Sequence, residues 1–316
     1  MGTDFTSYLG MSRRLRFVPE GGSLVEVTCR TVQGRRLLRP SPRLNEIIVG
    51  VLGRAQRLYS VRICAYVFVS SHYHLLLDVD DARQLANFMR YLNSNLAREV
   101  GRLVRWSDGV WSRRYQSILV SGEEGAQIAR LKYVLSHGVK EELVKRPRDW
   151  PGLHSVRALT DGEPIEGYWF SRTLEYAARQ RGETFDRLQY ATRETVTLSP
   201  LPSWKDLSTD ARRTRVLSLI GQIETEAAAR RARTGGEPLG VAAILGQHPH
   251  HRPARLKKSP APLFHAISHL VRQQFYEGYA WFVATFRQAA EKLRAGDRTA
   301  AFPVGSFPPA LPFVGG

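Results

Sequence analysis

The stretch VRICAYVFVSSHYHLLLDV, residues 61–79, restricts the fold more than any other part of the chain. Residues 61–69 and 72–79 are β-rich and nearly continuous in apolar side chains. Only Ser70 and Ser71 interrupt them, so they read as a tight hairpin placed centrally in a sheet. His72 and His74 break that apolar character. Side chains at i and i+2 of a strand point the same way, which puts both imidazoles on one face and Tyr73 and Leu75 on the other. Two imidazoles one pleat apart can hold a single metal ion. Alone the pattern is weak, because nine histidines produce chance pairs. His248 and His250 form another in HPHH, where Pro249 rules out an ordinary paired strand. With His251 they read as part of a solvated basic loop.

The flanking segments complete a plan. Residues 23–32 (SLVEVTCRTV) alternate as a half-buried strand does. Ser41 is a natural N-cap and Pro42 suits the first helical position of a helix whose apolar stripe is Leu44, Ile47, Ile48, Val51, Leu52, Ala55 and Leu58. A second helix covers about 81–103, with Leu85, Phe88, Met89, Leu92, Leu96 and Val100 on one side. A strand at 113–121 and a third helix at 123–144 follow. The order β-α-β-β-α-β-α predicts an α+β, ferredoxin-like (split βαβ) antiparallel sheet with helices on one face. Helical segments at 209–233, at the short LGVAAILGQ and at 262–295 make the rest a mostly α-helical C-terminal region with an extended Pro-rich tail. The expected division is 1–157, a connector at 158–205, and a basic helical part at 206–316.

The third helix adds a cluster. Tyr133 and His137 stand at i and i+4, and Lys140 at i+7, so all three share a face, while Ile128, Leu131, Leu135 and Val139 lie roughly opposite. Charge says what such a surface meets. Lys plus Arg number 46 against 29 Asp plus Glu, a net charge of +17. That excess favours a polyanionic partner, nucleic acid first and an anionic membrane surface second. There is no run of 18 apolar residues to span a bilayer. The N-terminal sequence lacks the basic-then-apolar order of a secretory signal. Cys29 and Cys64, both in apparent strands, read as reduced core residues of a cytoplasmic protein. No Gly-x-x-x-x-Gly-Lys-Ser/Thr loop is present, so nothing marks a nucleotide-hydrolysing site.

At this point the residues resemble a family. SSHYHLLL resembles the His-hydrophobe-His signature of the HUH endonucleases, and the order of elements resembles their single-tyrosine transposases. The likeness is nearest to REP-associated tyrosine transposases and related insertion-sequence transposases. WSRRY at 111–115 resembles that group's Trp-x-Arg-Arg-aromatic motif. YVLSHG at 133–138 resembles its Tyr-Ile-x-x-Asn-Pro, and DWPGLHS resembles its Trp-containing segment. Two departures stand out: Ser70-Ser71 replaces Pro-Asn before the histidine pair, and His137-Gly138 replaces Asn-Pro. The likeness covers about residues 10–157.

The resemblance implies a metal-dependent transposase that cleaves and rejoins single-stranded DNA at hairpin-flanked sites through a 5′-phosphotyrosine intermediate. Tyr133 is then the nucleophile. His72, His74 and His137 hold a divalent ion, Mg2+ or Mn2+, with histidine at 137 favouring manganese or another softer ion. A free phenol ionises only near pH 10, so the metal, Lys140 or a bound water must help deprotonate it. Arg13, Arg14, Arg16, Arg113 and Arg114 are expected to position DNA phosphates, and Trp111 or Tyr115 to stack on an unpaired base. The implied location is the bacterial cytoplasm, at the nucleoid when DNA is bound. Related transposases occur as helix-exchanging dimers and as monomers, so a homodimer and a monomer both stay open. Two rival readings share the residues: a catalytically inactive or domesticated DNA- or RNA-binding regulator on the same fold, and a hydrolytic metallophosphoesterase in which water attacks instead of Tyr133.

Overall fold

The computed structural model describes residues 14–254 and 262–310. Its centre is the expected hairpin. β2 (Arg62–Val69) and β3 (His72–Val79) pair antiparallel, Val69 opposite His72, across the two serines. β1 (Ser23–Arg30) lies on the other side of β3, with Thr28 opposite His74 and Arg30 opposite His72. β4 (Gln116–Val120) pairs with β1, giving the order β2-β3-β1-β4 of the split βαβ plan. A bulge near Cys64 leaves Cys64 and Ala65 in the same apolar cluster. Cys29 sits in the cluster on the opposite face, so both thiols are buried and free, separated by the sheet.

The helices start where local chemistry says they should. The Ser41 hydroxyl accepts from the Leu44 amide at 3.2 Å to open α1 (Pro42–Tyr59), with Pro42 in its first turn. The Asp81 carboxylate accepts from the Gln84 amide at 2.7 Å to open α2 (Ala82–Val104). The apolar stripes of both pack on the face formed by Val25, Val27, Tyr73, Leu75 and Leu77. Leu58, expected in that stripe, is 47% exposed. The third helix, α3 (Glu124–Leu135), covers the other face through Leu131, Val134 and Leu135. The two helices of the split βαβ unit thus share a face as expected, and α3 adds a layer opposite them. That layer places its polar cluster above the histidine face of β3.

α3 is shorter than its apolar periodicity suggests, ending nine residues before Val144. Gly138 adopts φ +86°, in the left-handed region, and residues 136–142 form turns.

Beyond the first unit, α4 (Val156–Asp161) leads to β5 (Glu166–Phe170), α5 (Arg172–Gln180) and β6 (Ala191–Thr195). β5 and β6 form a separate two-stranded sheet lying on α1, where the sequence suggested only a connector. The approach is close at Gly50, where a Cβ would stand 2.1 Å from the Tyr168 carbonyl. α6 (Thr209–Thr234) packs Val216, Leu219, Ile220, Ile223 and Ala227 into the α3 side of the core. After the short α7 (Val241–Leu245) comes β7 (Phe264–His265), which pairs parallel with β4 and extends the main sheet to five strands. The 26-residue α8 (His269–Arg294) follows. Residues of 206–316 therefore share both a core and a sheet with 1–157. Among the described residues no helix is long and apolar enough to cross a membrane.

Candidate metal centre and tyrosine

The three predicted imidazoles converge. His72, His74 and His137 each offer a ligand nitrogen, and these atoms lie within 4.8 Å of one another, the one such group among the described residues. All three side chains are buried. The β3 pleat supplies the first two, with ring centroids 5.2 Å apart, and the turn after α3 brings the His137 ring 4.0 Å from that of His74.

The residues fit a cation. The His137 Nδ1 donates to the Tyr133 carbonyl at 2.8 Å. The His74 Nδ1 donates to the Glu26 carboxylate at 2.8 Å, and the Thr28 hydroxyl lies 2.9 Å from the same nitrogen. In both rings the proton is thereby fixed on Nδ1, which leaves Nε2 with its lone pair for a metal. Burial holds the His72 and His137 rings well below the ordinary imidazole range, and neighbouring His74 and Lys140 push the same way. His74 is also lowered by burial, against the opposing pull of Glu26. Neutral imidazoles are the form that ligates, and a set of three nitrogens suits a transition metal better than magnesium.

Glu26 was not among the predicted site residues. It is 1% exposed at the centre of β1, on the same face as His74, and forms an ion pair with Arg130 of α3. Burial alone would raise its carboxyl, but His74 and Arg130 outweigh that and hold it below the usual range. The signal was present: a glutamate inside an apolar strand must find a cation or a donor. Which partner it finds depends on register and on a helix far along the chain. Glu141 is a second addition. Its carboxylate accepts from the Gly138 amide at 2.6 Å and stands 3.9 Å from the His137 Nε2, and burial raises its pKa.

Tyr133 is half-buried beside the triad, its ring centroid 5.5 Å from that of His74 and 4.8 Å from that of His137. The Lys140 Nζ lies 3.5 Å from the centre of the phenol ring, and the Arg130 guanidinium 4.3 Å. The predicted Tyr133, His137 and Lys140 cluster survives the early end of α3, because the turn keeps His137 and Lys140 on the tyrosine's side.

The expected DNA contacts divide. Arg113 and Arg114 are exposed at the end of the sheet that carries His72, and Arg114 donates to the Arg14 carbonyl at 2.8 Å. Arg14 is also exposed, while Arg16 is half-buried, its guanidinium 5.6 Å from the Tyr115 ring. Arg13 lies outside the described residues. The two aromatics lie on the other face of the sheet. Tyr115 is 8% exposed and belongs, like Trp111, to the α1/α2 side of the sheet, away from the histidines. The Trp111 indole donates to the Asn93 carbonyl at 2.8 Å and meets Tyr73 edge-on. Tyr73 and Tyr115 thus share the face opposite His72 and His74. Arg30 was missed: exposed on the histidine face, it stands opposite His72 at the strand end. The His248–His251 loop docks on the end of α2, where the His250 Nε2 donates to the Val104 carbonyl at 2.7 Å. Residues 255–260 of the basic RPARLKKSP segment lie outside the described residues.

No protein-family model and no curated protein matches the chain. Among solved structures it is similar to the REP-associated tyrosine transposase bound to a REP hairpin, at 20% identity and a TM-score of 0.40, over 49% of this chain and 90% of that one. It is also similar to a Deinococcus radiodurans R1 protein described as a transposase, at 17% identity and a TM-score of 0.28, over 38% of this chain and 95% of that one. Each likeness covers less than half of this chain.

Proposed function

We propose that this chain is a metal-dependent transposase that cuts and rejoins single-stranded DNA at hairpin-flanked sites through a tyrosine nucleophile. The observation that carries the reading is the convergence of three buried imidazoles, within 4.8 Å, beside the half-buried phenol of Tyr133. A divalent ion, manganese in preference to magnesium, would supply positive charge to a non-bridging oxygen of the scissile phosphate. The protein's own groups do the rest. Tyr133 attacks phosphorus, the bond to the 3′ oxygen breaks, and the phosphate stays on the phenol as a 5′-phosphotyrosine. The phenol gives up its proton and the departing 3′ oxygen gains one. Lys140 and Arg130, over the ring, place positive charge beside the phosphate that Tyr133 receives. Attack by another 3′-hydroxyl reverses these steps and joins strands without ATP. Arg30, Arg113 and Arg114 place positive charge at the same end of the sheet for the flanking phosphates.

In this reading residues 1–157 carry the chemistry, the β5–β6 sheet within 158–205 braces α1, and 206–316 add basic helical surface. The test is incubation with labelled single-stranded hairpin DNA and Mn2+, followed by denaturing electrophoresis. An adduct that survives denaturation and is lost in Tyr133→Phe is expected. Cleavage without an adduct means that water attacks, and binding alone means a regulator; either outcome removes the proposal.

A further inference from the structure

We propose that the cleft between α3 and α6 is a nucleotide subsite, seating one base and one phosphate of the single strand next to the bond presented to Tyr133. This rests on the reading of Tyr133 as nucleophile. The cleft has a volume of about 260 Å³, just below the roughly 300–1,000 Å³ typical of small-molecule sites. That space suits one nucleotide. Its floor is apolar, from Val139, Ile223 and Ala227, and its rim carries Lys132, Lys140 and Arg230. The rim cations each have an acidic neighbour, Lys132 with Glu226, Lys140 with Glu141 and Arg230 with Glu142. A phosphate entering there exchanges one anion for another above an apolar floor that suits a base.

Position gives the cleft its meaning. Tyr133 and Lys140 both line it, and the same phenol ring abuts His74 and His137 on the triad side. A strand lying in the cleft therefore leads directly to the phenol. The other wall belongs to α6, which lies outside the part of the sequence that resembles tyrosine transposases. The C-terminal region thus completes the site as well as adding charge around it. Of the three acids, Glu226 itself lines the cleft. It pairs with Lys132 at 2.6 Å, and its side chain is 65% exposed.

That pairing allows variants with opposite expected effects. Ala129 is an exposed α3 residue lining the cleft, so Ala129→Trp fills the space from the solvent side. Glu226→Gln removes the opposing carboxylate and releases Lys132. With the full-length chain in EDTA, binding of a fluorescein-labelled ten-residue thymidine strand is read by anisotropy. Ala129→Trp is expected to weaken binding about tenfold, the scale of one lost stacked base. Glu226→Gln is expected to tighten it roughly threefold, the scale of one surface charge interaction. A strand carrying 5-iododeoxyuridine should cross-link to a peptide of α6. Should Ala129→Trp fail to fold, Glu226→Gln and the cross-link still decide. Unchanged affinity in both variants, cross-links only outside α6, or tighter binding of the equivalent RNA overturns the subsite. An adduct on Tyr133 with no effect of the cleft variants sinks this inference alone. Cleft-dependent binding without an adduct sinks the nucleophile reading and leaves a binding subsite.

Discussion

Replacing Glu26 by Gln takes one charge from beneath the histidine triad while keeping the side chain's shape. The carboxylate is 1% exposed and serves two donors at once, the His74 Nδ1 and the Arg130 guanidinium. A carboxamide has one acceptor oxygen, so its NH2 must face one of those donors. The Arg130 side chain, only 13% exposed, then keeps a charge with no counterion beside it. Removing one partner of a buried pair costs about 3–5 kcal/mol. With one hydrogen bond retained, the low end applies, about 3 kcal/mol, or a fall in Tm of roughly 5–10 °C. The second effect is on the metal. Without a carboxylate to fix the His74 tautomer, Mn2+ affinity should drop about 10–100-fold. Thermal melts in EDTA measure the first and calorimetric Mn2+ titration the second. Adding Arg130→Met should restore part of the Tm, since the stranded charge is gone, but none of the metal affinity. A Glu26→Gln protein melting within about 1 °C of the parent with unaltered Mn2+ binding would refute the reasoning.

His154 is half-buried, and its desolvation lowers its pKa from 6.5 to about 4, so the folded protein holds it neutral. The unfolded chain takes up the proton first as pH falls. The stability from His154 is therefore complete above about pH 6.5 and is lost towards pH 4, by about 3 kcal/mol at 1.36 kcal/mol per pH unit. Urea unfolding at pH 7 and pH 4.5 should show a smaller loss in His154→Gln than in the parent. Gly50→Ala places a methyl 2.1 Å from the Tyr168 carbonyl and should cost about 3 kcal/mol by prying the β5–β6 sheet from α1, detected as faster proteolysis within 166–195. His137→Asn exchanges a nitrogen ligand for an oxygen. Its stabilisation by Mn2+ relative to Mg2+, read as metal-induced Tm shifts, should fall at least about tenfold in affinity ratio.

The sheet order and the triad were legible because each rests on short-range periodicity. Alternation fixed the shared face of His72 and His74, and a four-residue step fixed that of Tyr133 and His137. Where the reading went astray, longer-range facts decided. Helix periodicity continued to Val144, but the helix stops at Leu135 and the chain turns through 136–142, with Gly138 at positive φ. The motif at 111–115 does not say which face of the sheet its aromatics occupy; packing puts Trp111 and Tyr115 on the α1/α2 side. β7 is two residues long and carries no period at all. β5 and β6 are short and charged, EGYWF and ATRET, and become a sheet only because glycines on α1 admit their backbone. Glu26 and Arg130 could be seen separately as a misplaced acid and a helix base; that they neutralise each other is a property of the assembled layers.

β7 also bears on how the chain comes off the ribosome. Parallel pairing joins Leu119 to Phe264 and Val120 to His265, with the Leu119 amide donating to the Leu263 carbonyl at 3.1 Å and the Ser121 amide to the His265 carbonyl at 2.9 Å. Until that late segment emerges, the outer rim of β4 presents bare amides and carbonyls to any other nascent strand. A fragment cut after the tyrosine turn would keep this adhesive border permanently. Solubility on expression should therefore return only in lengths that reach past residue 265.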